Sequence, residues 1–439
     1  MHDTHGKPSL QHRIAARLSG GGSGAVFRGM ATLAAGSGVA RLIGLASIPI
    51  LTRLYSPEDF GVMAVFNALI QLLIPLATLR YVMALPLPRN DRTAFALLVL
   101  CLGLAACLSV LVGVVLLAGG PVLFAFMSME SLLPFWWLVP LGMIGATGYE
   151  TLTMWATRQR EFRVIARTQI AQSAVGEALK IALGLLMLKP LGLLIGQIAG
   201  QGCGSSRLIM SFRPDLAILW HRFRWRQILA AARRYRGFPA YRLPAQLLLV
   251  YSIQAPLLFA AYLYDSATTG QLALAIMAVS LPFLLVGQGA SRAFYGHVKG
   301  LGPSGTTPVL WRVLQVSAVL GGLMALAIHL FGELIFALMF GSDWRFAGEL
   351  AEILALMLVL QFPASITIEL NNITRGQRFF FLVYGVRALG ITAAFLAADA
   401  LRLPVAETMM LYVGFMLIQY ALVLTMTISG ARRLERAGR

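Results

Sequence analysis

The sequence predicts an all-α polytopic membrane protein of about twelve transmembrane helices in two sets of six, with both termini on the cytoplasmic side. Three observations predict it. Only 12% of the 439 residues are charged and 58% are hydrophobic, whereas a soluble domain carries roughly 25% charged residues. Apolar stretches of about 20 residues, the length needed to cross hydrocarbon, recur along the whole chain. The basic residues, moreover, gather on alternate loops.

The apolar stretches place helices over 29–52, 60–84, 93–118, 132–156, 165–188, 191–212, 240–263, 271–295, 311–337, 348–373, 379–398 and 405–429. Hydropathy supports the first and sixth least. The first contains Arg41, and the sixth is rich in Gly, Ser and Gln. Residues 1–24 are polar and Gly/Ser-rich, without the apolar core of a signal peptide, so the first apolar stretch is expected to be retained.

Charge tests this map independently of hydropathy. The chain holds 36 Lys and Arg against 18 Asp and Glu, a net +18. In a soluble protein that excess would suggest nucleic acid. Here its position argues instead for cytoplasmic loops, and no nucleic-acid partner is expected. Arg89 and Arg92, the run Arg158 to Arg167, the dense stretch Arg207 to Arg242, then Arg292, Lys299 and Arg312, and the tail from Arg432 all fall on one side. The other side holds Arg53, Lys189, Arg345 and Arg402 among many more acids. A wrong helix count would break this alternation at the error.

The map divides the chain into a cytoplasmic segment 1–28, a six-helix bundle 29–212, a basic linker 213–237, a second bundle 238–430 and a basic tail 431–439. In the linker, Leu216, Trp220, Phe223 and Ile228 interleave with arginines. It is expected to lie as an amphipathic helix on anionic membrane lipids. Six helices per half give both halves the same orientation, so a parallel repeat about an axis along the membrane normal is expected. A sequence echo agrees. Leu54-Tyr55, Gly61 and Ala64 recur as Leu263-Tyr264, Gly270 and Ala273, each 209 positions later.

All loops are short. Phosphate loops, zinc-ligand pairs and nucleophile elbows are absent from the sequence, so no catalytic residue, metal or cofactor is assigned. Cys101, Cys107 and Cys203 lack metal spacing and read as small core hydrophobes. Candidate functional residues are the ionisable groups inside spans, since each is costly unless paired or facing water. These are Arg41, Arg80, Glu150, Glu177, Lys180, Glu369 and Arg387. Arg41 lies 13 residues after Arg28 and 12 before Arg53, roughly 18–20 Å from either end and so mid-membrane. It is either a cation lining a cavity or the partner of Glu150, Glu177 or Glu369. Arg387 faces the same alternatives. Glu177 and Lys180, at i and i+3, are either a structural pair or a substrate and proton site. Arg80, near a helix end, is expected to snorkel. Glu150 and Glu369 are either proton-coupling acids or partners for a nearby arginine. Prolines such as Pro49, Pro75, Pro256 and Pro363 are expected to bend their spans. Trp136, Trp137, Trp344 and Tyr264 are expected to anchor at the interfaces.

The stretch GSGVARLIGLASIPILTRLYSPEDFG (36–61) resembles the first helix and loop of bacterial polysaccharide-biosynthesis flippases. FPAYRLPAQLLLVYSIQAPLLFAAYLYDSATTGQLALA (238–275) is similar to the opening of their second half, and MFGSDWRFAG (339–348) resembles their turn after the ninth helix. These proteins belong to the multidrug/oligosaccharidyl-lipid/polysaccharide exporter superfamily. The resemblance implies two six-helix bundles around a central cavity in the bacterial inner membrane. It further implies export of undecaprenyl-diphosphate-linked units for O-antigen (lipopolysaccharide), capsule or exopolysaccharide, alongside a polysaccharide polymerase and a chain-length regulator. Arg41, Arg387, Lys180 and Arg80 are then the candidate substrate-binding cations, since arginine pairs well with phosphate oxygens. Glu177, Glu150 and Glu369 are the candidates for H+ or Na+ coupling. Arg41 and Arg53 match first-helix arginines of the superfamily. Two other readings compete. One is a cation-coupled multidrug antiporter of the same superfamily, which would want an acidic pocket. The other is a membrane glycan polymerase or ligase, which would want a long periplasmic loop.

Overall fold

The structure, a computed structural model, describes residues 21–126, 129–301 and 305–437. Most of the expected segment 1–28 and the end of the tail 431–439 lie outside the described residues. Among the described residues the chain is helical throughout and contains no strand.

The first half comprises α1 (Gly21–Leu54), α2 (Pro57–Ala77), α3 (Asp91–Phe126), α4 (Leu138–Arg158), α5 (Phe162–Leu185), and a sixth expected span split into α6 (Leu191–Gly202) and α7 (Gly204–His221). After α8 (Arg226–Arg234), the second half runs through α9 (Leu243–Leu263), α10 (Ser266–Pro282), α11 (Gln288–Leu301), α12 (Thr306–Phe340), α13 (Arg345–Ala355), α14 (Leu358–Thr367), α15 (Asn371–Thr374), α16 (Gln377–Ala400) and α17 (Val405–Ala437). Each of the twelve expected spans therefore corresponds to a helix or a broken helix. Seven are long and apolar enough to cross a membrane unaided, and the tenth, bent by 61° between α13 and α14, would be an eighth. The remaining four carry charges or breaks that hydropathy penalises. On α5 these are Arg163, Arg167, Glu177 and Lys180. The bilayer-facing surface inverts the soluble pattern. Val110, Leu117 and Val122 on α3, Leu334 and Leu338 on α12, and Ile418 on α17 are all exposed, as expected of helices that face lipid.

Within each half the helices pack on one another, α1 on α5 and α5 on α6 in the first, α9 on α16 and α12 on α13 and α14 in the second. The halves meet chiefly where α2 lies against α9 and α10. That contact has two-fold character. Ser56 and Asp265, 209 positions apart, each cap the helix that follows: the Ser56 hydroxyl accepts from the Asp59 N–H and the Asp265 carboxylate from the Thr268 N–H. One turn later Gly61 meets Ser266 and Gly270 meets Pro57. A Cβ on Gly61 would fall 1.8 Å from the Ser266 carbonyl oxygen, and one on Gly270 would fall 1.9 Å from that of Pro57. Residue and partner exchange under the same 209-residue shift, as a two-fold contact requires. The sequence echo thus marks the axis, and glycine is needed because the two backbones touch.

Trp344 reinforces this closed end. It is 1% exposed, its ring stands edge-on to Phe60 at 4.8 Å, and its Nε1–H donates to the Thr52 carbonyl at 3.0 Å. Its turn is held by Gln271, which donates to the Asp343 carbonyl and accepts from the Ala347 N–H. Trp344 is therefore a contact between halves rather than an interfacial anchor. Tyr264 is tied down as well, donating to the Leu403 carbonyl at 3.0 Å. Of the cysteines only Cys101 is buried; Cys107 and Cys203 are exposed. The expected linker is not separate either. Its first part continues α7 to His221, and α8 packs on α3. Trp220, Phe223 and Phe95 form an aromatic cluster there.

Candidate functional site

Away from the closed end the halves part around several cavities, some of which share wall residues. One, about 940 Å³, is a vestibule bounded by Arg80, Arg242, Gln246, Glu369 and Tyr384. Arg80 and Gln246 also line a recess of about 320 Å³ that reaches Glu150. Leu249, Glu369 and Tyr384 lead from the vestibule into a cavity of about 590 Å³ inside the second half. The first half has its own pocket of about 350 Å³, with Arg41, Gln169, Glu177 and Lys180 on its wall.

Arg80 does not snorkel. α2 ends at Ala77, and Leu79 and Arg80 take left-handed backbone conformations, with φ of 46° and 59°, before a short 3₁₀ turn. This break turns the side chain inward, where it pairs with Glu150 at 3.4 Å and donates to Gln246 of the other half. Glu150 is thus the partner of an arginine, the second of its two readings. Glu177 and Lys180 form an ion pair at 2.9 Å, and Ser47 donates to the other Glu177 oxygen at 2.7 Å. Packing imposes this pairing, because Lys180 is buried against Gly196 of α6.

Arg41 has no carboxylate within 4 Å among the described residues, which removes the acid-partner alternative. Its guanidinium crosses to the second half, donating to the Leu284 carbonyl at 2.8 Å and to the Gln288 side chain at 3.1 Å. Leu284 sits in a π-helical turn, Phe283–Gly287, between α10 and α11. Such a turn shifts the helical bonding register, which is why these turns recur at functional positions. A second one, Phe238–Arg242, contributes Tyr241 and Arg242 to the vestibule.

Arg387 also lacks a carboxylate within 4 Å among the described residues. It lines the second-half cavity with Tyr412 and Tyr420, its guanidinium 5.8 Å from the Tyr420 ring centre. Glu369 borders both this cavity and the vestibule and accepts from the Asn372 amide. Four cations and three carboxylates were expected inside the spans. Two pairs neutralise each other, leaving Arg41, Arg387 and Glu369 outside any ion pair among the described residues. Several lining residues escaped the sequence reading. Arg292, counted there as a loop residue, borders the second-half cavity, as do Tyr384, Tyr412, Gln361 and Gln419. For Tyr384 on α16 and for Tyr412 and Gln419 on α17, only helical spacing could have been a signal, and apolar neighbours dilute it; Arg292 and Gln361 lie on α11 and α14 and share no such pattern. No cluster of metal-ligand residues occurs among the described residues.

Residues 50–347 match the family model described as polysaccharide biosynthesis protein. The chain belongs to this family. A search of curated proteins finds no match. Among solved structures it is similar to an inward-facing multidrug resistance MATE family transporter of the MOP superfamily, with TM-score 0.64 and 14% identity over 93% of this chain and 96% of that one. It is also similar to a mutant of the Vibrio cholerae MATE transporter VcmN, with TM-score 0.61 and 14% identity over 93% and 96% of the two chains. The inward closed conformation of the lipid II flippase MurJ gives TM-score 0.61 and 11% identity over 92% and 89%. At these identities the likeness is one of fold: this polysaccharide-biosynthesis family member has the twelve-helix architecture of the superfamily's transporters.

Proposed function

We propose that the protein is a flippase. It moves undecaprenyl-diphosphate-linked oligosaccharide units from the cytoplasmic to the periplasmic leaflet of the bacterial inner membrane by alternating access. The observation that carries this reading is Arg41: a mid-membrane arginine without an acid partner among the described residues, bridging the two halves through a carbonyl and an amide that a diphosphate could replace. Arginine's planar fork suits phosphate oxygens, and exchanging its bonds to Leu284 and Gln288 for bonds to substrate would uncouple the halves. The family match and the fold shared with a lipid II flippase support the cargo class. With the basic loops on the cytoplasmic side, the vestibule opens inward and the Gly61–Gly270 contact closes the periplasmic end.

The antiporter alternative rests on Glu369, which of the candidate coupling acids Glu150, Glu177 and Glu369 is the one outside an ion pair among the described residues, and which serves equally as the coupling site for H+ or Na+ in a flippase. Complementation of a flippase-null strain tests the proposal. Arg41→Ala abolishes export at near-normal membrane abundance, and Arg41→Lys asks whether charge suffices without the fork. Normal polymer after clean deletion of the protein, or efflux of cationic dyes from vesicles, would overturn it.

A further inference from the structure

The cavity inside the second half has a chemistry that a diphosphate alone does not explain. Arg387 lies ten residues into α16, about 15 Å along the helix from its start, where a lone cation is costly. Of the other ionisable groups around it, Arg292 adds a second positive charge and Glu369 one negative charge, the latter beyond ion-pair distance. Tyr384, Tyr412 and Tyr420 line the same cavity, and the Tyr420 ring lies under the guanidinium. Three residues of this wall also hold a buried polar atom with no hydrogen-bond partner among the described residues: Nε of Arg387, Oε1 of Gln419 and Oε1 of Gln361. Gln419 is only 4% exposed. Buried polar groups are rarely left unpaired, and a rotation of these side chains toward the cavity would pair them with a polar ligand. The cavity volume of about 590 Å³ lies within the roughly 300–1,000 Å³ typical of small-ligand pockets.

Flat aromatic faces suit the C–H faces of pyranose rings, amides and phenols suit their hydroxyls, and a guanidinium without an acid suits a carboxylate held bidentate. We propose that this cavity is the glycan subsite and that Arg387 makes it selective for repeat units carrying an acidic sugar, a hexuronate or equivalent carboxylate. The identity of the cargo rests on the flippase reading; the selectivity is a property of the pocket itself. In this division of labour Arg41 meets the diphosphate and Arg387 meets the sugar acid.

Binding to the purified full-length protein in lipid nanodiscs tests it, by calorimetry or saturation-transfer NMR. The probes are a methyl glucuronide disaccharide, its neutral glucoside counterpart and farnesyl diphosphate without sugar. The acidic disaccharide is expected to bind about tenfold more tightly than the neutral one, equivalent to about 1.4 kcal/mol. Arg387→Gln removes that preference while leaving farnesyl diphosphate binding intact, and Gln419→Ala weakens both disaccharides. Should Arg387→Gln fail to fold, Arg387→Lys keeps the charge without the fork and lowers the preference. Equal binding of the two disaccharides overturns the proposal. So does an Arg387 variant that loses farnesyl diphosphate instead, because the anion recognised would then be the diphosphate. Acid-selective binding by a protein that fails to restore export would refute the flippase reading alone. Restored export without acid selectivity would refute this inference alone.

Discussion

Replacing Trp344 should loosen the closed end by a calculable amount. Trp344→Phe keeps an aromatic ring against Phe60 and removes the bond from Nε1 to the Thr52 carbonyl, together with part of the indole's volume. A hydrogen bond of this kind contributes about 0.5–1.5 kcal/mol net, so the population open at that end rises about 2- to 12-fold. Trp344→Ala also removes the edge-to-face pair, worth about another 0.5–1.5 kcal/mol beyond its buried area. The two together, about 1–3 kcal/mol before the lost buried area is added, correspond to a shift of at least about 5- to 150-fold. The assay is the rate at which a membrane-impermeant maleimide labels Thr52→Cys, a position buried in the closed end. Cys101, Cys107 and Cys203 are first replaced by alanine. Labelling proceeds from the open population, so its rate reports the shift directly, in the order wild type, Trp344→Phe, Trp344→Ala. Equal rates in all three would show that this contact does not hold the halves together.

The same labelling distinguishes the two glycines. Gly61→Ala and Gly270→Ala each force a Cβ into a backbone carbonyl of the other half, so both should raise the labelling rate. An effect of only one would break the two-fold relation. For Arg80 and Glu150, Arg80→Ala leaves a carboxylate stranded at the cavity wall. Breaking a fully buried pair costs about 3–5 kcal/mol, and with side chains 14% and 25% exposed the loss here should be smaller. Detergent melting should show Arg80→Ala less stable than the double variant Arg80→Ala/Glu150→Gln; the reverse order would make the pair dispensable.

Hydropathy and loop charge alone indicated the twelve segments, because each reports the solvent around one stretch of chain. A lipid-facing α3 or α12 is apolar whatever it packs against. The 209-residue echo was legible for a related reason: glycine at 61 and at 270 answers a backbone contact that tolerates no side chain. The breaks were not legible. The divided sixth, eighth and tenth spans are held by neighbouring helices that stand in for lipid, and hydropathy cannot tell protein from lipid as an apolar surrounding. Nor could the partners of the buried charges be read. Glu150 pairs with an arginine 70 positions away and Arg41 bonds a carbonyl 243 positions away, distances along the chain that only packing converts into contact. Glu177 and Lys180 were the exception, being one helical turn apart. Trp344 shows the same limit from the other side. Its place near a helix end suited a membrane interface, and only the approach of α1 and α2 from the other half decided that it would be buried between protein surfaces instead.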